Sequence, residues 1–194
     1  MSLRVGLFGG TFDPVHNGHI SIAESFINTE MIDELWVLLT PYPPHKQENN
    51  PATYKIRLEM LESAFKDTSG IKVSTIENEL TKPSYSVQTI RHLKKKYPDT
   101  TFFYCMGEDS LNKFHTWKYY EEILEECRLL VAQRPGASHQ EVEKAILGRT
   151  HFVTHTPLDI SSSEIRELVS EGRTITDIVP TEVAKTIEKE QLYS

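Results

Sequence analysis

The sequence has few cysteines, no excess of positive charge and no long hydrophobic run. Among its 194 residues are two cysteines, Cys105 and Cys127, whose spacing suggests neither a disulfide framework nor a metal site, so we expect buried free thiols. The net charge of −7 argues against a general nucleic-acid binder, which needs cations to neutralise phosphates. Because we find no signal peptide and no apolar run long enough to span a bilayer, we expect a cytoplasmic protein that is not bound to a membrane.

Apolar runs rich in β-branched residues alternate with segments of helical periodicity along the chain. The predicted strands cover residues 3–8, 34–39, 71–76, 101–106, 128–132 and 151–154. The predicted helices cover residues 18–28, 53–65, 86–97, 119–126, 139–147, 162–171 and 180–190. This alternation predicts an α/β fold with a Rossmann-like, doubly wound, mostly parallel sheet and helices on both faces. We expect residues 1–194 to form a single domain with a small helical C-terminal portion from about residue 160 onward.

Residues 9–19, which we call the histidine segment, follow the first strand and read GGTFDPVHNGH. Gly9 and Gly10 let the backbone come close to a ligand, and the helix start beyond them offers unpaired N–H groups that suit phosphate. His16 and His19 are three residues apart, so we expect them on the same side of a helical turn. Ligands of open parallel sheets bind beyond the carboxyl ends of the strands, where the strand order reverses. The segment therefore predicts a site for chemistry on a phosphate ester.

Two other segments bring cations to the same edge of the sheet. Lys46 ends a stiff, proline-rich loop after the second strand, which can hold its ammonium over a polyphosphate. After the sixth strand, Ser161 and Ser162 are candidate N-caps of a helix whose N-terminus provides a second phosphate site. Arg166 lies about one turn into that helix, where its guanidinium can bind phosphate oxygens in a bidentate manner. We expect Lys46 and Arg166 to converge on the histidine segment.

Further candidates follow the fourth and fifth strands. Gly107 and Asp109 come after the fourth strand, where the carboxylate could accept hydrogen bonds from ribose hydroxyls or instead cap a helix. Trp117 could stack on a flat heteroaromatic ring or belong to the core. Arg134 ends the fifth strand and is a candidate contact for a phosphate or a base.

Taken in order, these segments resemble the nucleotidylyltransferase superfamily that carries HxGH and ISSxxxR-type motifs, and within it the bacterial nicotinate-nucleotide adenylyltransferases. The matching motifs are the histidine segment, PPHK at 43–46, PSYS at 83–86, GEDSL at 107–111, RPG at 134–136 and ISSSEIR at 160–166. The resemblance covers nearly the whole chain. Ser86 stands where the family usually has threonine, and Gln88 where it often has aspartate. Ser86 keeps a hydroxyl and a backbone amide for the nicotinate carboxylate.

The resemblance implies transfer of the adenylyl group of ATP to nicotinate mononucleotide, which gives nicotinate adenine dinucleotide and pyrophosphate in NAD biosynthesis. The implied catalytic residues are His16, His19, Lys46 and Arg166. The implied ATP-binding residues are Gly9, Gly10, Thr11, Phe12, Gly18, Gly107, Asp109, Arg134, Ile160, Ser161 and Ser162. The implied residues for the mononucleotide are Tyr85, Ser86 and Trp117. Mg²⁺ is expected to arrive with ATP, because the sequence shows no carboxylate cage of its own.

Other functions stay open at this point. A sibling enzyme could act on nicotinamide mononucleotide or phosphopantetheine, or could transfer cytidylate to a polyol phosphate. The chain could instead be a non-catalytic module that senses ATP or NAD, or a fragment similar to a tRNA synthetase. The two histidines together with Lys46 and Arg166 favour catalysis, Trp117 favours a planar acceptor, and the lack of basic surface argues against tRNA. The oligomeric state is open, and a homodimer is the commonest case.

Overall fold

The computed structural model describes residues 2–41, 52–134, 136 and 138–194, so the predicted site residue Lys46 lies outside the described residues. The strands of the described part are β1 (Arg4–Gly10), β2 (Glu34–Leu39), β3 (Ile71–Ser74), β4 (Thr101–Gly107), β5 (Arg128–Gln133) and β6 (Thr150–Thr154). The α-helices are α1 (Asn17–Ile27), α2 (Tyr54–Phe65), α3 (Ser86–Lys96), α4 (Glu108–Asn112), α5 (Tyr120–Glu126), α6 (Lys144–Leu147), α7 (Ser162–Ser170) and α8 (Thr181–Lys189). Short 3₁₀ turns cover Ile76–Glu79 and Phe114–Thr116.

These strands form one sheet in the order β3-β2-β1-β4-β5-β6, and each recorded pairing is parallel. Strand β1 lies at the centre, with Gly10 opposite Leu39 of β2 and Phe8 opposite Cys105 of β4. The strand order reverses between β1 and β4. The carboxyl end of β1, where the histidine segment begins, is therefore the topological switch point at which ligands bind in such sheets.

Helices cover both faces of the sheet, and each face has its own apolar core. On one face, buried side chains of α1, α2, α7 and α8 pack together, including Phe26, Met60, Ile165 and Val183. On the other face, α3, α4, α5 and α6 contribute side chains such as Ile90, Leu111, Ile123 and Ile146. The predicted doubly wound α/β fold is confirmed.

Three local differences separate the structure from the sequence prediction. The helix predicted over residues 139–147 is wrong in its first half, because only Lys144–Leu147 is helical. Outside that helix, His139 Nε2 forms an ion pair with Glu108 Oε1 at 2.5 Å. Strand β3 ends at Ser74, and Ile76–Glu79 forms a 3₁₀ turn instead of a strand end. Helix α4 was not among the predicted helices; the sequence offered Asp109 as a possible helix cap, whereas the N-cap residue in the structure is Gly107.

Both cysteines are free and buried, as predicted. Burial raises the pKa of the Cys105 thiol and raises that of Cys127 to about 12, so neither is an activated nucleophile. None of the helices in the described part of the chain has the length and apolar character that a bilayer crossing requires.

Candidate active site

The histidine segment places two imidazoles face to face at the start of α1. His16 is the N-cap residue, with an extended backbone whose carbonyl accepts hydrogen bonds from His19 N–H at 2.9 Å and from Ile20 N–H at 3.3 Å. The two ring centroids are 3.7 Å apart and the ring planes are inclined by 30°. His19 Nδ1 accepts a hydrogen bond from the backbone N–H of His16 at 3.3 Å, which leaves the proton of the neutral His19 ring on Nε2. The expected same-side geometry is present, and His19 Nε2 is a hydrogen-bond donor.

His16 is almost completely buried, with 6% of its surface exposed. Burial lowers the pKa of its imidazole from 6.5 to about 4, so the ring is neutral at physiological pH. Within the part of the chain that the structure describes, the buried His16 Nδ1 has no hydrogen-bond partner. An unpaired buried polar atom costs free energy, and such atoms often mark a functional site. A bound phosphate oxygen or water would satisfy it.

The neutral state of His16 predicts a component of acid instability. The unfolded chain binds a proton at this imidazole near pH 6.5, whereas the folded protein does so only near pH 4. The stability from this group is therefore fully present above pH 6.5 and is lost as the pH falls toward 4, by an amount on the order of 2–3 kcal/mol. Denaturant unfolding of wild type and His16→Gln between pH 7.5 and 4 measures it. The variant is expected to lose less stability, and equal slopes would contradict the shift.

Gly18 lies against the His16 ring. A Cβ at this position would be 3.0 Å from His16 Nδ1 and 3.1 Å from His16 Cε1, and 3.9 Å from the carbonyl oxygen of Ile160. The space that a side chain would need is taken by the imidazole, so the glycine is required for the position of His16. Its predicted contact with ATP stays a prediction.

Gly18→Ala is expected to lower kcat about tenfold, because His16 must shift by a few tenths of an ångström and a misplacement of about 1 Å costs about a hundredfold. Alanine is the better helix former, so the melting temperature should not fall. Steady-state kinetics and thermal melts check both points, with Ser21→Ala on the same helix as the control. An unchanged kcat would show that the His16 position is unimportant for turnover.

Helix α7 brings Arg166 to the histidine segment. Its Nη1 donates to the backbone carbonyl of Asp13 at 2.9 Å, and Ser162 Oγ donates to the carbonyl of Pro14 at 3.0 Å. Ser161 is the N-cap of α7, because its hydroxyl accepts a hydrogen bond from Glu164 N–H at 3.1 Å. Arg166 therefore meets the histidine segment before the start of α1, as expected, although it is separated from Asp13 by about 150 residues.

A cavity of about 620 Å³ opens beside the carboxyl ends of β1 and β2, and Tyr104 from the middle of β4 also lines it. Several predicted site residues line it together: Gly9, Gly10, Thr11, Tyr85, Ser86 and Trp117. Trp117 is half-buried, and its indole packs edge-on against Tyr104 with 5.4 Å between the ring centroids. The ring therefore packs partly into the core and partly faces the cavity, and its stacking on a heteroaromatic ring stays a prediction. We call this space the Trp117 cavity.

The wall of the Trp117 cavity contains hydroxyl groups held by hydrogen bonds. Ser86 Oγ lies 3.0 Å from the Tyr104 hydroxyl, whose pKa is raised by burial so that the phenol stays neutral. The Gln88 side-chain oxygen accepts a hydrogen bond from Tyr85 N–H at 2.8 Å. The neutral amide at position 88 therefore supplies the acceptor that an aspartate would supply, and the turn before α3 keeps its cap.

Glu77 adds a buried carboxyl to the same cavity. It is 7% exposed, and Thr89 Oγ1 donates to its Oε1 at 3.0 Å while Ser84 lies 3.5 Å from Oε2. Burial raises the pKa of Glu77, and the hydroxyl groups of Thr89, Thr40 and Ser84 act in the opposite direction. The carboxyl ties the 3₁₀ turn to α3 and so shapes the cavity wall.

A second cavity of about 310 Å³ lies beyond β5 and β6, and we call it the Arg134 cavity. It is lined by Arg134, Pro157, Leu158, Asp159, Ile160, Ser161 and Glu164. Arg134 Nη2 donates to Asp109 at 3.0 Å, and both side chains are largely exposed, so this ion pair adds little stability. Asp109 lies in the first turn of α4 and is not its N-cap residue. The space in front of Gly107 is open.

The Phe12 side chain lies in the core. It is 2% exposed, and its ring packs edge-on against Phe8 and against His19, whose centroid is 4.9 Å away. A Cβ at Gly10 would lie 2.8 Å from this ring. Phe12 therefore supports the His19 ring from within the core, and its predicted contact with ATP stays a prediction.

Sequence reasoning missed several residues that line the Trp117 cavity: Thr40, Glu77, Ser84, Tyr104, Lys113, Thr116 and Lys118. Thr40 was detectable, because it directly follows β2 at the carboxyl edge and its N–H donates to Gly10 at 3.0 Å. Tyr104 was not, since it lies within the buried strand β4 and reads as an ordinary core position.

Comparisons with known proteins agree with this geometry. A sequence profile described as cytidylyltransferase-like matches residues 7–168. The chain is 39% identical over 192 residues to a probable nicotinate-nucleotide adenylyltransferase of Exiguobacterium sibiricum, covering 99% of this chain and 100% of the relative. A protein of the same description from Flavobacterium johnsoniae is 36% identical over 191 residues, covering 98% and 99%.

Solved structures share the fold. Nicotinic acid mononucleotide adenylyltransferase of Plasmodium falciparum, complexed with APC or with NaAD, superposes with TM-scores of 0.81 and 0.82. The sequence identity is 20%, and the match covers 98% of this chain and 97% of the other. At this identity the likeness establishes the common fold.

Proposed function

We propose that this chain, which belongs to the cytidylyltransferase-like family and within it to the nicotinate-nucleotide adenylyltransferases, transfers the adenylyl group of ATP to nicotinate mononucleotide. The products are nicotinate adenine dinucleotide and pyrophosphate. The observation that carries the proposal is the position of the stacked His16 and His19 rings at the topological switch point, where Arg166 also reaches the histidine segment.

The chemistry needs alignment and charge stabilisation rather than a general base. The phosphate oxygen of the mononucleotide is already an anion and attacks the α-phosphorus of ATP in line, with pyrophosphate as the leaving group. In our proposal His19 Nε2–H donates to the α-phosphate as negative charge develops there, and neutral His16 donates to a neighbouring phosphate oxygen. The Arg166 guanidinium adds a fixed positive charge, and Thr11 donates from its hydroxyl or amide.

The two cavities support a separate binding site for each substrate. We assign the mononucleotide to the Trp117 cavity, where Trp117 offers a flat ring surface and Ser86 offers a hydroxyl and a backbone amide to the nicotinate carboxylate. We assign the adenosine part of ATP to the Arg134 cavity, lined by Arg134, Ile160 and Ser161. The phosphates then cross the N-terminus of α1, which attracts anions. Lys46, outside the described residues, is proposed as a further phosphate contact.

Mg²⁺ is proposed to enter as a complex with ATP. This ion prefers phosphate oxygens and water and needs few protein ligands. Among the residues that the structure describes, no three His, Cys, Asp or Glu side chains form a group that could hold a metal ion. The phosphates themselves fit this role, and the cations of the site would bind the phosphate oxygens that the ion leaves uncoordinated.

A pyrophosphate-release assay tests the proposed substrate. The protein is given ATP and Mg²⁺ with nicotinate mononucleotide, nicotinamide mononucleotide or phosphopantetheine as the acceptor, in parallel reactions. We expect the highest kcat/KM with nicotinate mononucleotide and formation of the dinucleotide. Higher kcat/KM with another acceptor would reassign the enzyme, and tight ATP binding without turnover of any acceptor would favour a sensor.

A further inference from the structure

Residues that follow the histidine segment by roughly 150–180 positions hold its central part in place. The hydroxyl of Ser162 and the guanidinium of Arg166 donate to the carbonyls of Pro14 and Asp13, as described above. These bonds act on the backbone just before His16. The position of His16 and His19 therefore depends on how the C-terminal helices pack.

Asn17, the first residue of α1, is also bound from the C-terminal side. Its backbone N–H donates to the carbonyl of Ile178 at 3.0 Å, and its Nδ2 donates to the carbonyl of Asp177 at 3.1 Å. The first N–H groups of a helix have no partner within the helix, so these bonds satisfy one of them. The turn between α7 and α8 thus caps the helix that carries His19.

The last of these contacts comes from Tyr193. Its hydroxyl donates to Asp13 Oδ1 at 2.6 Å, across 180 residues of sequence. Asp13 is 5% exposed and lies three residues before His16, and its Oδ1 also accepts the N–H of Ala52 at 3.3 Å. Burial and the neighbouring Asp13 carboxylate both raise the pKa of Tyr193, so the phenol keeps its proton at physiological pH. A short bond to an ionised acceptor is stronger than a neutral one.

Asp13 also faces a buried cation, which decides how the contact must be tested. Arg57 is 3% exposed, and its guanidinium donates to the carbonyls of Thr11 at 2.7 Å, Thr40 at 3.1 Å and Ala52 at 3.2 Å. Burial lowers the pKa of Arg57, and the Asp13 carboxylate counteracts this. Removing Asp13 would leave an uncompensated buried charge, so the informative substitution is at Tyr193.

We propose that Tyr193 is a positioning residue for the transfer reaction: its phenol fixes the Asp13 carboxylate and thereby sets the place of the His16 and His19 rings. The inference rests on the proposed function, because it assigns Tyr193 to the same phosphate site. Tyr193 lines neither of the two cavities described above. It acts through Asp13, together with the bonds from Ser162 and Arg166.

Tyr193→Phe tests this proposal, with Tyr120→Phe as a matched control. The control also removes a phenol–carboxylate hydrogen bond, the one from Tyr120 to Glu143 Oε2 at 3.2 Å, which lies outside the histidine segment. Tyr193→Phe is expected to lower kcat about tenfold while KM for nicotinate mononucleotide changes less than about twofold, since alignment is lost and the acceptor contacts remain. Tyr120→Phe should match wild type in both.

Amide hydrogen exchange without substrates provides the second readout. We expect the N–H groups of Asn17 and His19 to exchange about tenfold faster in Tyr193→Phe than in wild type, and at the wild-type rate in Tyr120→Phe. Thermal melts verify that both variants are folded at the assay temperature. A kcat within about twofold of wild type, or unchanged exchange at both amides, would overturn the role of Tyr193. If wild type itself does not turn over nicotinate mononucleotide, the proposed function fails, and the exchange rates alone decide whether Tyr193 holds the segment.

Discussion

Replacing His19 by alanine is expected to lower kcat for dinucleotide formation by about two to three orders of magnitude, the range for loss of a transition-state hydrogen-bond donor. His19 Nδ1 is engaged by the backbone N–H of His16, which fixes the ring and leaves Nε2–H as the donor. The ring is further supported edge-on by Phe12. A preorganised donor of this kind needs no reorientation when charge develops on the α-phosphate.

The control for this substitution is His151→Ala. His151 lies on β6 and its imidazole contacts the Arg128 guanidinium at 3.1 Å, outside the histidine segment. Pyrophosphate release is followed with saturating ATP and nicotinate mononucleotide for both variants. His151→Ala should keep the wild-type kcat. An unchanged kcat for His19→Ala would remove this residue from the mechanism.

Arg166→Met is expected to lower kcat/KM for ATP by about ten- to a hundredfold. A hydrogen bond to a charged group contributes about 1.5–3 kcal/mol, and about 1.4 kcal/mol corresponds to a factor of ten. Methionine keeps much of the side-chain length but removes both the charge that we propose binds the phosphates and the donor to the Asp13 carbonyl. The measurement is the dependence of initial rate on ATP concentration.

Two further variants separate the charge of Arg166 from its geometry. Arg166→Lys restores a point charge without the planar fork, so we expect only partial recovery of kcat/KM. Arg173→Met removes an exposed guanidinium that is paired with Glu171 and should leave the rate unchanged. If Arg166→Met behaved like Arg173→Met, the guanidinium would have no role in binding ATP.

Much of the fold follows from local pattern. The run ELWVLL gives β2 its predicted bounds, and the serines after β6 start α7 at the predicted residue, with Ser161 as its cap. These signals lie within a few neighbouring residues, so sequence reasoning can detect them. The alternation of such elements then leaves a doubly wound parallel sheet as the favoured arrangement.

The parts that could not be predicted depend on contacts between distant residues. His139 was assigned to a helix because the local periodicity permits one, but its side chain is held by buried Glu108 and packs on Phe152. Tyr104 lies in mid-strand, and its hydroxyl meets Ser86 only after the sheet and α3 are assembled. Tyr193 shows no local signal at all.

The position of the histidine segment was predictable for a different reason. Glycines, histidines and a strand-to-helix junction occur together in residues 9–19, and the switch-point rule then places them at the ligand edge. What the sequence could not provide is how that segment is held, since Arg57, Arg166 and Tyr193 each reach it from a separate part of the chain.

The central claim is that the mononucleotide phosphate attacks the α-phosphorus of ATP directly, with the imidazoles as hydrogen-bond donors and not as nucleophiles. The most direct measurement is the stereochemical course at that phosphorus, with a single isomer of ATP that carries sulfur on the α-phosphate as substrate. One in-line displacement predicts a dinucleotide with inverted configuration at phosphorus. Retained configuration would require two displacements through an adenylylated enzyme and would contradict the account.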